Sequence, residues 1–209
     1  MTDPKATVVP WLLAAGLALL WLGAMASGGP SASWDGSALQ ALHRDERDAV
    51  AGLAWTITWL GDWIVLVPLA LAGAGLLAWR GYWRRAAALL AATLLVRVLV
   101  ALQKQWLARP RPDVEHWMVE HSHSFPSAHA ANSAVTFLAL AILLSGSRPA
   151  LVAAIVCAAM VGTSRVVLGV HWPSDVIAGW AFGALAAVPL WPLRPVRDPP
   201  RMVPGDGHF

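Results

Sequence analysis

The chain of 209 residues is 57% hydrophobic and only 13% charged, with a mean hydropathy of +0.57. A soluble domain carries roughly twice that share of charge, so a free-standing globular protein is excluded. The formal charge of +3 does not point to nucleic acid, because many of the basic residues sit at the ends of apolar blocks.

The apolar blocks, taken in chain order, predict six membrane spans: 9–26, 63–79, 86–103, 130–144, 150–168 and 176–191, with a tail over 192–209. The fold class expected is an all-α integral-membrane six-helix bundle forming one domain over 1–209. The first block also has features of a signal peptide, with Lys5, an apolar stretch and Ala24-Met25-Ala26 before Ser27. A retained span is the expectation, because the stretch is long for a signal peptide and more spans follow. Between the first two spans, Leu39, Leu42, Ala49, Val50, Leu53, Ala54 and Ile57 recur at helical spacing around the charged run 43–48. That predicts an amphipathic helix near 37–60, lying in the outer interface or simply covering the bundle. Several of the 13 tryptophans fall at span ends, where amphipathic rings settle. The single cysteine, Cys157, lies inside an apolar block, which excludes an intramolecular disulfide and reads as a core residue.

Basic residues set the expected orientation. With the N-terminus in the cytoplasm, Lys5, Arg80, Arg84, Arg85, Arg148, Arg194, Arg197 and Arg201 all fall inside. Arg44 and Arg47 fall outside but are offset by Asp45, Glu46 and Asp48. The remaining outer cations, Lys104, Arg109, Arg111 and Arg165, belong to polar clusters with a purpose of their own.

Three such clusters interrupt the apolar chain, and the topology puts all three on one side. They are Lys104 to Pro112, Phe125-Pro126-Ser127-Ala128-His129, and Ser164 to Asp175. Lys104, Arg111 and Arg165 supply cationic donors from two separated loops, and guanidinium forks match phosphate oxygens. Ser127, just before an apolar helix, places a hydroxyl and free N–H groups at a helix N-terminus, a ready anion site. His129 follows in the first turn. His171 and Asp175 are spaced i, i+4, so the carboxylate can accept from one imidazole nitrogen and leave the other nucleophilic. An oriented histidine beside a cationic cradle implies attack on phosphorus, with the second histidine protonating the leaving oxygen.

These clusters resemble the signature of the type-2 phosphatidic acid phosphatase superfamily, Lys-x6-Arg-Pro, Pro-Ser-Gly-His and Ser-Arg-x5-His-x3-Asp, over about 63–191. The resemblance implies His171 as nucleophile, Asp175 as its orienting partner and His129 as general acid. It implies that Lys104, Arg111, Ser127, Arg165 and the Ala128 N–H hold the phosphoryl oxygens, without metal or other cofactor. Ser164 has a less defined place, set against Arg165. Ala128 stands where the family pattern has Gly, and a positive φ there would cost about 1 kcal/mol or more.

Other polar residues carry competing readings. Arg109 matches no required position and is either an auxiliary phosphate contact or a solvated residue. Arg97, inside the third span, is expected to face the bundle interior; a structural partner is favoured over contact with substrate. His116, His121 and His123 show no zinc spacing and read as a lid or a solvated loop. The implied reaction is hydrolysis of a phosphate monoester or pyrophosphate on a lipid in a bacterial inner membrane. Undecaprenyl pyrophosphate, phosphatidic acid and phosphatidylglycerol phosphate all fit. A lipid-to-lipid phosphotransferase would use the same site. A transporter or scaffold would need polar residues along several spans, and apart from Arg97 the spans nearly lack them. Oligomeric state is not encoded in any readable way.

Overall fold

A computed structural model describes residues 4–45, 47–116, 118 and 120–195. Among these residues eight α-helices follow in order: α1 Pro4–Ser27, α2 Ser33–Leu42, α3 Ala49–Thr58, α4 Trp63–Trp79, α5 Trp83–Leu107, α6 Ala128–Leu140, α7 Arg148–Val167 and α8 Pro173–Ala187. A π-helical turn over Ala141–Ser145 prolongs α6 and a 3-10 turn over Val188–Leu193 prolongs α8. No strand occurs among the described residues.

Among the described residues, five helical stretches are long and apolar enough to cross a bilayer, and α4 makes a sixth when joined to α3 through a 43° bend. Alone, α4 has 17 residues, about 25 Å at 1.5 Å per residue, against a hydrocarbon core of about 30 Å. The six-helix membrane bundle is therefore present, with one span broken near its end. The basic tail residues Arg197 and Arg201, and Glu46 of the charged run, lie outside the described residues.

The segment expected as one amphipathic helix over 37–60 is two short helices, α2 and α3. The charged run between them leaves the helical path because other partners take its backbone. The Arg44 N–H and the His43 imidazole both reach the carbonyl of Val167 at the end of α7, at 3.2 and 3.1 Å. Asp48 then caps α3, accepting from the Val50 N–H at 2.8 Å.

The core is built by buried stripes. On α5, Leu89, Val96, Val100 and Lys104 recur at helical spacing and are all buried; on α7, Ala154, Ala158, Val161 and Arg165 do the same. Each stripe is apolar until its last turn, where it ends in a cation beside the helix's negative end. The opposite faces, with Leu94, Leu95, Val152 and Ile155 exposed, suit contact with lipid. Helices α6 and α8 approach most closely. A Cβ added at Gly183 would sit 2.3 Å from the Ala131 carbonyl oxygen, and one at Gly179 2.7 Å from that of Ser127. Only hydrogen at those positions lets the two backbones touch.

Candidate active site

One end of the bundle gathers the polar clusters, and local capping explains how. Helix α5 stops where Ala108 adopts a left-handed conformation, φ 47°, and its N–H closes on the Lys104 carbonyl at 3.1 Å. Lys104 is thus in the last helical turn, not in the following loop. Helix α6 begins after Ser127, whose hydroxyl accepts from the Ala130 N–H at 3.5 Å. Helix α8 begins at Pro173, and the Asp175 carboxylate accepts from the Trp172 N–H at 3.0 Å. The Ser127 N–H donates to the Asp175 carbonyl at 2.9 Å, which ties the starts of α6 and α8 together.

Asp175 does not bond His171 directly, as the spacing suggested; Nδ1 and Oδ2 are 3.6 Å apart. The Ser124 hydroxyl stands between them. It donates to Asp175 Oδ2 at 2.5 Å and lies 3.3 Å from His171 Nδ1. A hydroxyl that donates its proton to the carboxylate can accept only from a protonated Nδ1, which leaves the lone pair on Nε2. Nε2 lies 3.4 Å from Arg111 Nη1. Burial, reinforced by the charges of Lys104, Arg111 and Arg165, holds His171 well below its ordinary 6.5. The imidazole is neutral and ready to share that lone pair.

The other carboxylate oxygen of Asp175 meets Arg109 at 2.9 Å. Arg109 is not solvated, and its guanidinium is turned to protein partners. It is buried, donates to the Ser174 hydroxyl at 2.9 Å and to the Met25 carbonyl at 2.7 Å, and lies over the Phe125 ring at 4.4 Å. Ser174 is held in turn by Asp35 of α2, which accepts from its N–H at 2.9 Å and its hydroxyl at 2.5 Å. Asp35 also accepts from the Gly29 N–H at 2.7 Å and is wholly buried. Asp35, Ser124 and Ser174 stand at no position of the three sequence motifs that is fixed in residue type. Ser174 sits inside the third cluster and Ser124 beside the second; Asp35 carries no local signal at all.

Three cations converge opposite His171. Lys104 Nζ donates to the His123 carbonyl and, at 3.4 Å, to that of Ser124. Arg111 donates through Nε to the Ser122 carbonyl at 2.9 Å and through Nη1 to that of Val170 at 2.5 Å. Burial lowers its affinity for its proton, and Glu120 and Asp175 oppose that shift. Arg165, fully buried, donates from Nη1 to the Thr58 hydroxyl at 2.8 Å. Glu120 bridges the two arginines, pairing with Arg165 Nη2 through one oxygen and with Arg111 Nη2 at 3.3 Å through the other. A carboxylate between two guanidinium forks occupies the geometry a phosphoryl group would take.

Two buried nitrogens at this end have no partner among the described residues, His129 Nε2 and Arg165 Nε. His129 Nε2 is 3.9 Å from Asp62, which caps α4 through the Ile64 N–H at 2.9 Å. Ala128 starts α6 in right-handed conformation, since Ala108 alone among the described non-glycine residues has positive φ. The missing glycine therefore costs the backbone nothing. The Ser164 hydroxyl turns back to its own helix, at 2.7 Å from the Val161 carbonyl. Arg97 lies away from this cluster, in a cleft between α4, α5 and α6. Of the loop histidines, His116 bonds the Pro112 carbonyl at 2.8 Å, while His121 and His123 are exposed. No group of three metal-ligating side chains occurs among the described residues.

Residues 82–198 match the model of the PAP2 superfamily. Phosphatidylglycerophosphatase B of Bacillus subtilis (strain 168) is 38% identical over 138 residues, covering 62% of this chain and 68% of that protein. Lipid A 1-phosphatase of Rhizobium johnstonii is 41% identical over 97 residues, covering 42% of this chain but only 38% of that protein. Among solved structures, the transmembrane PAP2-type phosphatidylglycerolphosphate phosphatase of Bacillus subtilis superposes with a TM-score of 0.76 at 31% identity, covering 83% of this chain and 92% of that one.

Proposed function

The chain belongs to the PAP2 superfamily, and from that premise we propose that it hydrolyses the phosphate monoester or diphosphate of a membrane lipid through a phosphohistidine on His171. The carrying observation is the orientation of His171: Nδ1 is engaged by Ser124, and Nε2 faces Arg111 among three cations. Nε2 attacks phosphorus in line, and the bond from phosphorus to the leaving oxygen breaks. His129 gives that oxygen its proton and then takes one from the water that cleaves the phosphohistidine, releasing inorganic phosphate. Lys104, Arg111, Arg165, Ser127 and the Ala128 N–H balance charge on the phosphoryl oxygens. Asp175 is a positioning residue that acts on His171 through Ser124.

We infer the orientation from charge. Arg80, Arg84, Arg85, Arg148 and Arg194 lie at the ends of spans remote from the site residues in sequence topology, which suits a cytoplasmic face for them and an outer face for the site. A pocket at that interface takes a head group while the tails stay in lipid.

The test is phosphate release by purified protein from a panel of lipid monophosphates and polyprenyl diphosphates. His171→Ala is expected to abolish release while thermal stability in detergent is retained. Release from none of these lipids by the wild type, or full activity in the variant, overturns the reading.

A further inference from the structure

Thr58, Gly61 and Asp62 belong to none of the three polar clusters, yet the short segment they form touches two members of the site. It is the bend between α3 and α4, where a 3-10 turn over Trp59–Gly61 joins the two helices at 43°. Thr58 is buried, and its hydroxyl accepts from Arg165 Nη1 at 2.8 Å. Gly61 lies against His129: a Cβ there would stand 3.1 Å from the imidazole Cδ2 and 2.3 Å from Val161 Cγ1 of α7. With hydrogen alone at position 61 the turn packs directly on the ring. Asp62 comes next in the chain.

The Asp62 carboxylate has two directions to serve. Oδ1 accepts from the Ile64 N–H at 2.9 Å and caps α4. Oδ2 lies 3.9 Å from His129 Nε2, about 1 Å beyond hydrogen-bond length, a gap that a small turn of the ring or the carboxylate closes. Nε2 is buried with no hydrogen-bond partner among the described residues, whereas Nδ1 is not sealed in this way and the side chain keeps 17% exposure. A buried polar nitrogen left unmatched is costly. The other carboxylates at the site are engaged elsewhere, Glu120 with Arg111 and Arg165, and Asp175 with Arg109 and Ser124.

We propose that Asp62 is a positioning residue for the general acid: it accepts the Nε2 proton of His129 and leaves Nδ1 as the nitrogen that exchanges a proton with the substrate. The inference rests on the role given to His129 above. A negative charge beside an imidazole favours its doubly protonated form, which is the form a general acid needs. In the first step the bond from phosphorus to the leaving oxygen breaks, and its electron pair stays on that oxygen, which takes the Nδ1 proton. In the second, Nδ1 takes a proton from water as the water oxygen bonds to phosphorus and the bond to His171 Nε2 breaks. The Nε2 proton of His129 stays turned to Asp62 throughout. Both histidines are then held by a carboxylate at one nitrogen, His171 through Ser124 and His129 directly.

The test sets two leaving groups against each other, the alkoxide of a lipid monophosphate from the panel and the phenolate of p-nitrophenyl phosphate. The phenolate is a far weaker base and needs little help from an acid. Asp62→Asn keeps an oxygen to cap α4 and removes the charge. Its kcat/KM is expected to fall about tenfold to a hundredfold on the lipid, the worth of a hydrogen bond to a charged group, and much less on the aryl phosphate. Asp62→Ser, which also caps, is expected to show the same selective loss, and both variants should unfold in detergent near the wild-type temperature. Added to His129→Gln, Asp62→Asn is expected to lose nothing more, because it acts through that ring. Equal losses on both substrates, no loss on either, or a further loss in the double variant overturns the positioning role. A His129→Gln enzyme without selective loss on the lipid would instead overturn the acid role on which the inference rests. Wild-type protein inactive on the whole lipid panel would overturn the hydrolase itself.

Discussion

Arg109 and Asp175 meet at 2.9 Å in an ion pair sealed from solvent, one 6% and the other 0% exposed at the side chain. That pair joins the α5–α6 loop to the carboxylate behind His171, and through Ser174 to Asp35 on α2. A buried charge that loses its partner costs about 3–5 kcal/mol. Arg109→Ala is therefore expected to lower the thermal unfolding temperature sharply and to cut kcat more than KM. Asp35→Asn keeps the shape but weakens the hold on Ser174, and a double-mutant cycle with Arg109→Lys should show coupling. Additive effects would mean that the network does not act as a unit.

Ser124 is the next test, because it stands where a direct carboxylate–imidazole bond was expected. Ser124→Ala removes a hydrogen bond to a charged group, worth about 1.5–3 kcal/mol, so kcat is expected to fall about tenfold to a hundredfold. Ser124→Thr should recover most of it. Steady-state kinetics on one lipid phosphate decide the matter, and an unchanged Ser124→Ala enzyme would show Asp175 reaching His171 without help.

His171 is held well below 6.5, chiefly by burial. Its unfolded counterpart binds a proton as pH falls through about 6.5, while the native imidazole does not. Stability from this residue is complete above that pH and declines below it. Thermal unfolding of the wild type is expected to drop more steeply than that of His171→Gln between about pH 7 and pH 5. The pH dependence of kcat/KM should likewise lack an acid limb from His171 near 6.5. Parallel unfolding curves would contradict the neutral, desolvated imidazole.

Glu120 sits on Arg111 and Arg165 where an oxyanion would go. A phosphate bound by both arginines is expected to displace it. Glu120→Gln removes the competing charge and is expected to tighten binding of inorganic phosphate by roughly threefold to tenfold, as read by calorimetry in detergent. Weaker binding in the variant would mean that Glu120 supports the cradle instead of filling it.

Close packing of α6 on α8 gives the last prediction. Gly183→Val forces a side chain against the Ala131 carbonyl, 2.3 Å from where its Cβ would lie. Overpacking of this kind costs about 1–3 kcal/mol or more. Activity and unfolding temperature are expected to fall together, whereas Gly75→Ala, with open space around it, should change neither.

Much of this arrangement was legible in the sequence for reasons that can be named. Hydropathy marked five long helices and the bent α3–α4 pair because a bilayer rejects charge along about 20 consecutive residues. The order of Lys104, Arg111, Ser127, His129, Arg165, His171 and Asp175 marked one end of the bundle, because phosphate chemistry needs those groups together. What stayed hidden depends on contacts between distant segments. Asp35 lies 139 residues from Ser174, its hydrogen-bond partner. Arg109 reads like another phosphate ligand until the fold turns it toward Asp175. The break between α2 and α3 is hidden in the sequence because apolar spacing continues across the charged run, while the carbonyl that captures His43 and Arg44 belongs to α7.

The glycine contacts between α6 and α8 bear on how the protein meets membranes of different thickness. A helix bundle under hydrophobic mismatch tilts or slides its members, at a cost of fractions of a kcal/mol per Å. Helices whose backbones touch at Gly179 and Gly183 cannot slide past each other without collision. One carries His129, and the other starts just after His171 with Asp175 in its first turn. Thinning or thickening the bilayer can therefore change how easily a lipid reaches the pocket, while the spacing between the two histidines stays fixed.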